Sequence, residues 1–462
     1  MKEYRVEVEA FDFISIDSLS ICHQANEHSR AKVCGKVSCD YQEEYLSTLV
    51  KESWTRIYAI DSEGGEQIVF VGIVTAFAMV RKGHDTVLKL ELFSGTILMD
   101  RSYHLRTFQN QNLTYQNIFE QLTKTYAKSK VNYNLSNNDK ISNFIIQYRE
   151  SDWQFLKRMA GRQGGYLIPS HLTDGVQYFV GLPNRGQRRL PNEFPYTIQR
   201  RTGAVRNAQG VLETQNRIQF VINSRELYQI GENLSFQGQS LFIVQAESVY
   251  EKGELLHTYT MATAGNMFVN ACWNEEIAGS SLDGWITKVK ADKVQVNIYG
   301  DENKNQNYTK WFPYSTVYSS PDGTGWYCMP EVGDAIRLNL PVFREEEAHV
   351  ISAVHLEAGA ADRQEPNLKS LKTKYGKEVL FTPDSIVMTN NKGMSISLKD
   401  GQGINVVSDK DVNISAGNNV TLASQGGSLS VAGSSGVKLS QGGTGIQLDS
   451  NIVFSGGEFR IQ

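Results

Sequence analysis

The chain has 462 residues and a mass of 51.8 kDa, a length that suits about three domains. Its formal net charge is -4 and its pI is near 6.1, so it has no overall basic field to draw it to nucleic acid or anionic lipid. Five cysteines, an odd number in a long chain, argue against a disulfide scaffold, and 39 glycines against 10 prolines are unevenly placed.

No apolar stretch follows the charged N-terminus, which predicts assembly in the cytoplasm without a secretory signal. The longest uncharged apolar run, Ile68 to Val80, falls short of the roughly 20 residues that span a bilayer. It is rich in β-branched residues and interrupted by Gly72, and reads as buried strands. The first hundred residues read mostly as strands, from the alternation of Arg5-Val6-Glu7-Val8-Glu9 to Val87, Leu88, Leu90, Leu92 and Phe93.

Two helices follow. Thr114 is a good N-cap, flanked by a Leu113/Ile118 hydrophobic staple, with Tyr115, Ile118, Phe119, Leu122 and Tyr126 on one face. Ser151 and Gln154 form a capping box for the second, whose apolar stripe is Trp153, Leu156, Met159 and Ala160 and which ends at Gly164-Gly165. β-Rich sequence returns through residue 275. Residues 276–356 form a block of about five short strands, among them Gly284-Trp285-Ile286, Val294 to Ile298 and Ile336 to Leu340, which suits a small OB-fold barrel. Residues 357–375 are polar, carry Pro366 and read as a linker.

From residue 376 to 462 the composition changes: Trp, Cys and His vanish, and Gly, Ser and Asn dominate. Apolar-x-apolar pairs recur at a spacing of eight, at times nine: Ile396/Leu398, Ile404/Val406, Val412/Ile414, Val420/Leu422, Leu429/Val431, Val437/Leu439 and Ile446/Leu448, then Ile452/Phe454 and Phe459/Ile461. Turn formers such as Asp400-Gly401-Gln402-Gly403 lie between them. Phased β-branched residues distinguish this tract from a disordered tail. Side chains i and i+2 share a face, so each octad supplies two inward residues and a turn. That is too little to close a core in one chain, and three chains, each giving one face, would make a prism with a dry axis. The octad therefore predicts a homotrimer, with every strand paired to another chain.

Taken in order, a β-rich first half, the segment Tyr148-Arg149-Glu150-Ser151-Asp152-Trp153-Gln154-Phe155-Leu156-Lys157-Arg158, an OB-like block containing Pro330-Glu331-Val332-Gly333-Asp334, and the octad tract resemble the VgrG-type spike proteins of type VI secretion and related contractile injection systems. The resemblance covers essentially the whole chain. It implies a mainly β fold: phage-hub-like β-barrel domains with a small α+β part over 1–275, an OB-fold neck over 276–356, and a C-terminal trimeric, triple-stranded β-helix as the needle. It implies a central spike that caps the inner tube, pierces an envelope and carries effectors. The implied partners are an inner-tube (Hcp-like) protein, baseplate proteins, a PAAR-type tip protein and effectors, with only transient contact with the target membrane and no nucleic acid. Delivery on contraction would take the spike to the extracellular space or the target cell.

The chain also departs from its relatives. The linker has no room for the lysozyme domain of some phage spikes, and no His follows His355 to bind iron near a tip. The sequence stops directly after the last apolar pair, which reads as a carrier without a toxin of its own. The role expected of Glu150, Asp152, Trp153, Phe155, Leu156, Arg158, Pro330, Gly333 and Asp334 is structural.

Other chemistry is weaker. Cys22, His23, His28, Cys34 and Cys39 cluster without a zinc-ligand spacing and read as buried small residues, Cys34 and Cys39 in strand sequence, with surface histidines. Cys272 and Cys328 read as core. Gly401-Gln402-Gly403 lacks the third glycine and helix of a nucleotide loop. Glu345-Glu346-Glu347 reads as a solvated turn, and Arg185 to Arg189 with Arg200-Arg201 as a solvated basic loop. Neither catalysis nor a cofactor or metal is expected. A trimeric receptor-binding fibre or adhesin would share the prism but should end in an aromatic-rich head. A β-helical polysaccharide-degrading enzyme would need longer coils and a carboxylate constellation.

Overall fold

Period-two alternation of β-branched and aromatic residues dominates the first half of the chain, and it folds into one sheet of twelve strands, almost all antiparallel. The computed structural model describes residues 4–49, 53–83, 85–206, 211–266, 273–304, 307–353, 363–449 and 451–457. Along the main path of the sheet the strands run Tyr4–Val8, Trp54–Asp61, Glu66–Lys82, Asp85–Phe93, Arg30–Val37, Phe13–Gln24, Gln239–Glu251, Glu254–Ala262, Leu212–Ser224 and Tyr196–Arg206. The first six enclose one core around Leu19, Ile57, Phe70 and Leu88; the last four close over another around Ile222, Leu234, Ile243 and Tyr259. The seam between the halves is the ladder from Gln24/Gln245 to Leu19/Tyr250.

Glu66–Lys82 is a single strand and Gly72 does not break it. A Cβ at Gly72 would lie 2.3 Å from the carbonyl oxygen of Phe93, so the glycine permits close strand approach. Only the first half of the apolar run is buried, since Phe77 and Val80 are exposed. Helix α1, Gln42–Leu49, was not expected among the strands: it has a short, weakly amphipathic sequence and buries only Tyr45 and Leu49.

The two expected helices are present as α2, Tyr115–Thr123, and α3, Asp152–Arg162. Both have reciprocal capping boxes: Thr114 with Asn117, and Ser151 with Gln154. They share a core with Met99, Phe108, Leu167 and Tyr178.

Residues 280–353 form a five-stranded sheet in the order Phe312–Pro313, Lys293–Ile298, Ser280–Lys290, Ala335–Leu340, His349–Ala353. Its ends meet through a parallel bridge between Tyr314 and Val350, where Ser315 N donates to Val350 O at 2.8 Å, closing a small barrel. Phe144 and Ile146, from the segment before α3, complete the barrel core. The chain divides into two compact units, Met1–Leu356 and Glu357–Gln462. The expected 275/276 boundary thus lies within the first unit.

The second unit begins with the strand Lys369–Lys372, inside the stretch expected to be linker. This strand leads a five-stranded antiparallel meander continued by Glu378–Thr382, Ser385–Thr389, Ser395–Lys399 and Gly403–Val407. A second meander joins Val437–Gln441, Thr444–Leu448 and Ile452–Ser455. The expectation that every strand pairs with another chain is therefore corrected: these eight pair within the chain, because turns such as Lys399–Gly403 are short enough to return the strand beside itself. From 408 to 436 no residue lies in a strand or bridge. The Phe459/Ile461 pair, Cys272 and His355 lie outside the described residues.

Candidate functional site

Two features of the fold concentrate the residues singled out by sequence. The first is the motif around α3. Trp153, Phe155, Leu156 and Met159 are fully buried against α2 and the small sheet beside it, and Trp153 meets Tyr178 edge to face at 5.7 Å. The charged residues Glu150, Asp152 and Arg158 of the motif are buried too, and each has an opposite charge. Arg158 donates to both oxygens of Glu150, Nε to Oε1 at 2.8 Å and Nη2 to Oε2 at 2.7 Å, and through Nη1 to Glu345 Oε1 at 2.9 Å. Its ring neighbour is Phe155, 5.2 Å away. Arg162 closes on the other oxygen of Glu345. Asp152 accepts from Arg106, from Gln147 at 2.9 Å and from Tyr126 OH at 2.7 Å.

Glu345 sits in the turn before the last barrel strand, only 1% exposed. The solvated-turn reading is therefore wrong for Glu345, although Glu346 is exposed. Burial would push its carboxyl up, but Arg162 and Arg158 outweigh this and hold it below the ordinary range. The same charges, from Glu150 and Glu345, keep Arg158 firmly protonated against the opposing effect of burial. Two further carboxylates from the barrel reach back: Glu302 to Arg106 at 2.7 Å, and Asp301, which accepts from Thr107 N at 3.0 Å. The motif thus ties the helical segment to the barrel through the buried Arg158–Glu345 and Arg162–Glu345 pairs and the Arg106–Glu302 and Thr107–Asp301 contacts. Glu150, Asp152, Glu302 and Glu345 are each committed to a guanidinium and Asp301 to Thr107 and Tyr308, so the cluster is built to hold two parts together.

Pro330, Gly333 and Asp334 shape a turn on the barrel. Gly333 has φ 95°, its N–H donates to Ile286 O at 2.8 Å, and Asp334 Oδ2 accepts from Glu331 N at 2.8 Å.

The second feature is the C-terminal apolar face. Register stacks Leu371, Val379, Met388, Ile396 and Val406 into one column, and Phe381, Ile386, Leu398 and Ile404 into a second on the same face. In the last meander Val437, Leu448 and Ile452 form one column, with Leu439, Ile446 and Phe454 forming the other. Most of these side chains are uncovered: Ile404 is 74% exposed and Leu439 59%. Val412, Ile414, Val420, Leu422, Leu429 and Val431 lie in the strandless stretch and are also exposed. The pairs Val379/Phe381 and Ile386/Met388 escaped the octad reading because they are spaced by seven and ten residues from the next pairs.

Residues 52–222 match the family model described as phage tail baseplate hub (GPD). In fold, the chain is similar to the E. coli c3393 protein, described as a component of the type VI secretion system with structural similarity to the T4 tail proteins gp27 and gp5. The identity is 13%, covering 75% of this chain and 99% of that chain, with a TM-score of 0.52. It is also similar to a chain of the Francisella PdpA-VgrG complex in its half-lidded form, at 12% identity over 88% of each chain and a TM-score of 0.58. The lidded form of that complex matches at 13% identity over 88% of this chain and 80% of that chain, with a TM-score of 0.59. No curated protein sequence matches.

The chain has the VgrG-type fold, and residues 52–222 match the baseplate-hub model. Within this VgrG-type fold the hub match spans α2, α3 and the motif.

The other candidates separate. His23 is buried, not at the surface, and stacks on His171 with ring centroids 3.5 Å apart. His28 lies between Thr96 (2.8 Å) and Asp100 (2.7 Å). Cys22 and Cys34 are half-buried, while Cys39 opens a short 3-10 turn, Cys39–Tyr41, and is exposed rather than in a strand. Cys328 is exposed rather than in the core. Among the described residues no group of three or more His, Cys, Asp or Glu could hold a metal ion, and no helix is long and apolar enough to cross a membrane. In the basic cluster Gln187–Arg189 is a short strand, and Arg188 pairs with Glu232 at 2.7 Å, so only part of it is solvated loop.

Proposed function

We propose that this chain is the central spike of a contractile injection machine, acting as a homotrimer that caps the inner tube and punctures a target envelope. The observation that carries the trimer is the uncovered apolar face of the C-terminal unit. Its columns are aligned by register, and their side chains stay in water in the single chain. Fully burying each Val, Ile or Leu is worth about 1.5–3 kcal/mol, and three identical faces turned inward would bury them all. The work is mechanical, and the proposal includes no catalysis.

The hub-family match and the VgrG-type fold support the tube and baseplate as partners. The PdpA-VgrG complex supports the carriage of a further protein; an Hcp-like tube, a PAAR-type tip and effectors are the partners proposed. Assembly would take place in the cytoplasm, with release on contraction. The hub segment favours this reading over a receptor-binding fibre, which needs no tube-capping domain.

In cells that build the particle, Ile404→Asp places a charge on the shared axis three times and should abolish contraction-dependent release of inner-tube protein into the medium. Release at the wild-type level would refute the proposal.

A further inference from the structure

A hollow of about 380 Å³ opens at the surface of the first core, between the end of the strand Tyr4–Val8 and helix α1. Its floor is apolar: Val8, Phe11 and Tyr45 are buried, and Tyr41, 46% exposed, stands at its side. The three rings form a run. Phe11 and Tyr45 have centroids 5.5 Å apart with planes at 56°, and Tyr45 and Tyr41 are 6.0 Å apart at 40°. Asp12 and Glu44, both exposed, complete the lining from opposite sides of the turn and the helix.

Local structure fixes this arrangement. Ala10 turns the chain at φ 66°, a conformation that residues with a Cβ avoid, and Phe11 N then donates to Val8 O at 3.2 Å. Asp12 N donates to Tyr45 OH at 3.0 Å, which ties the turn to α1 through the ring that makes the floor. α1 gives the core only Tyr45 and Leu49, and it presents Glu44 to this hollow.

The charges here are left over. Among the described residues neither Asp12 nor Glu44 has a cationic partner. Arg56, on the neighbouring strand, donates through Nη1 to both oxygens of Glu9, at 3.1 and 2.9 Å, and Lys36 is held by Asp85 at 2.8 Å. The helix N-terminus favours Glu44, which lies in the first turn. That does nothing for Asp12 and does not account for a floor of rings.

Two uncommitted carboxylates beside exposed aromatic surface match one kind of ligand. Ring faces attract a cation, and the carboxylates pair with it. A hard metal ion would seek a shell of oxygens, not ring faces. A lysine ammonium is compact and strongly hydrated, whereas a guanidinium is planar, weakly hydrated, and can stack on a ring while its N–H fork meets a carboxylate.

We infer that this hollow is a socket for an arginine side chain carried on a loop of another protein. The guanidinium lies over the floor of Phe11 and Tyr45, stacks on Tyr41 and pairs with Asp12 and Glu44. The arginine comes from another protein because many of this chain's own are already committed, such as Arg188 to Glu232, Arg225 to Glu254 and Arg337 to Asp283. The socket is built within one chain, so the inference does not rest on the trimer.

Saturation-transfer NMR on the purified full-length protein tests it with two probes, Nα-acetyl-arginine amide and Nα-acetyl-citrulline amide, the second of nearly the same shape without the charge. The arginine probe should take up saturation at its side-chain protons, and the citrulline probe should take up less by about threefold or more. Tyr41→Ala, and the pair Asp12→Asn with Glu44→Gln, should each weaken binding of the arginine probe by about three- to tenfold. The pair Glu63→Gln with Glu66→Gln removes the same charge from an exposed turn elsewhere and should leave it unchanged. All five side chains are exposed, so these variants keep the fold. Equal transfer to the two probes, or an equal loss in the control pair, would overturn the inference while leaving the spike reading intact. In cells that build the particle, a photo-crosslinking amino acid placed at the exposed Gln42 should join to an arginine-bearing peptide of another protein. Cross-links to this chain alone would make a second copy the occupant, and no cross-link would leave the surface free; either result would overturn the inference.

Discussion

Glu345 shows how much of this protein depends on single buried charges. Its carboxylate faces Arg158 and Arg162, and little solvent reaches any of the three. Removing one partner of a buried pair strands the other, at about 3–5 kcal/mol. Glu345→Gln should therefore lower the unfolding free energy of the Met1–Leu356 unit by that order in denaturant titration, whereas Glu346→Gln should leave it unchanged. Equal effects would contradict the assignment. Nothing in the local sequence marks Glu345, because its partners lie more than 180 positions away. Glu150 and Arg158, eight residues apart, are legible in the motif.

The buried histidines set a second residue-level expectation. Burial, and then Arg185, brings His171 down to about 3, and burial brings His257 to about 4; burial, His171 and His257 lower His23 as well. The unfolded chain binds protons near pH 6.5 while the folded one does not, so the stability from neutral histidines is lost as pH falls from about 6.5 toward 4. Glu345, held low, adds its loss further into acid. The thermal midpoint should thus fall between pH 7 and pH 4, and His171→Asn should flatten the upper part of that fall. A wild-type midpoint that is flat over this range would contradict the burial of neutral histidines.

At the scale of elements, local chemistry was legible wherever it is self-contained. The capping bond of Ser151 at α3 is to Gln154, three residues on, and Ser151→Ala should cost about 1 kcal/mol in urea denaturation. No loss would mean that the box contributes nothing to the helix. α1 was not legible because its apolar spacing is weak and its neighbours read as strands. Gly72 looked like a strand break because a glycine spacing does not reveal the carbonyl of Phe93 packed against it. The strand Lys369–Lys372 was hidden for a similar reason: it is polar and exposed, and is held by pairing with Glu378–Thr382 rather than by its own pattern.

For the whole molecule, the repeat gave the apolar face but not its strand connectivity. Periodicity places Ile396 and Leu398 on one side of a strand and is silent about which chain supplies the neighbour. That depends on turn length, which returns the chain beside itself up to Val407 and again from Val437. The central claim is that three such faces close on one another. Native mass spectrometry or mass photometry of the full chain tests it most directly. The account predicts one species at three times the 51.8 kDa chain mass, persisting on dilution to nanomolar concentration. A species at the single-chain mass under the same conditions would contradict it.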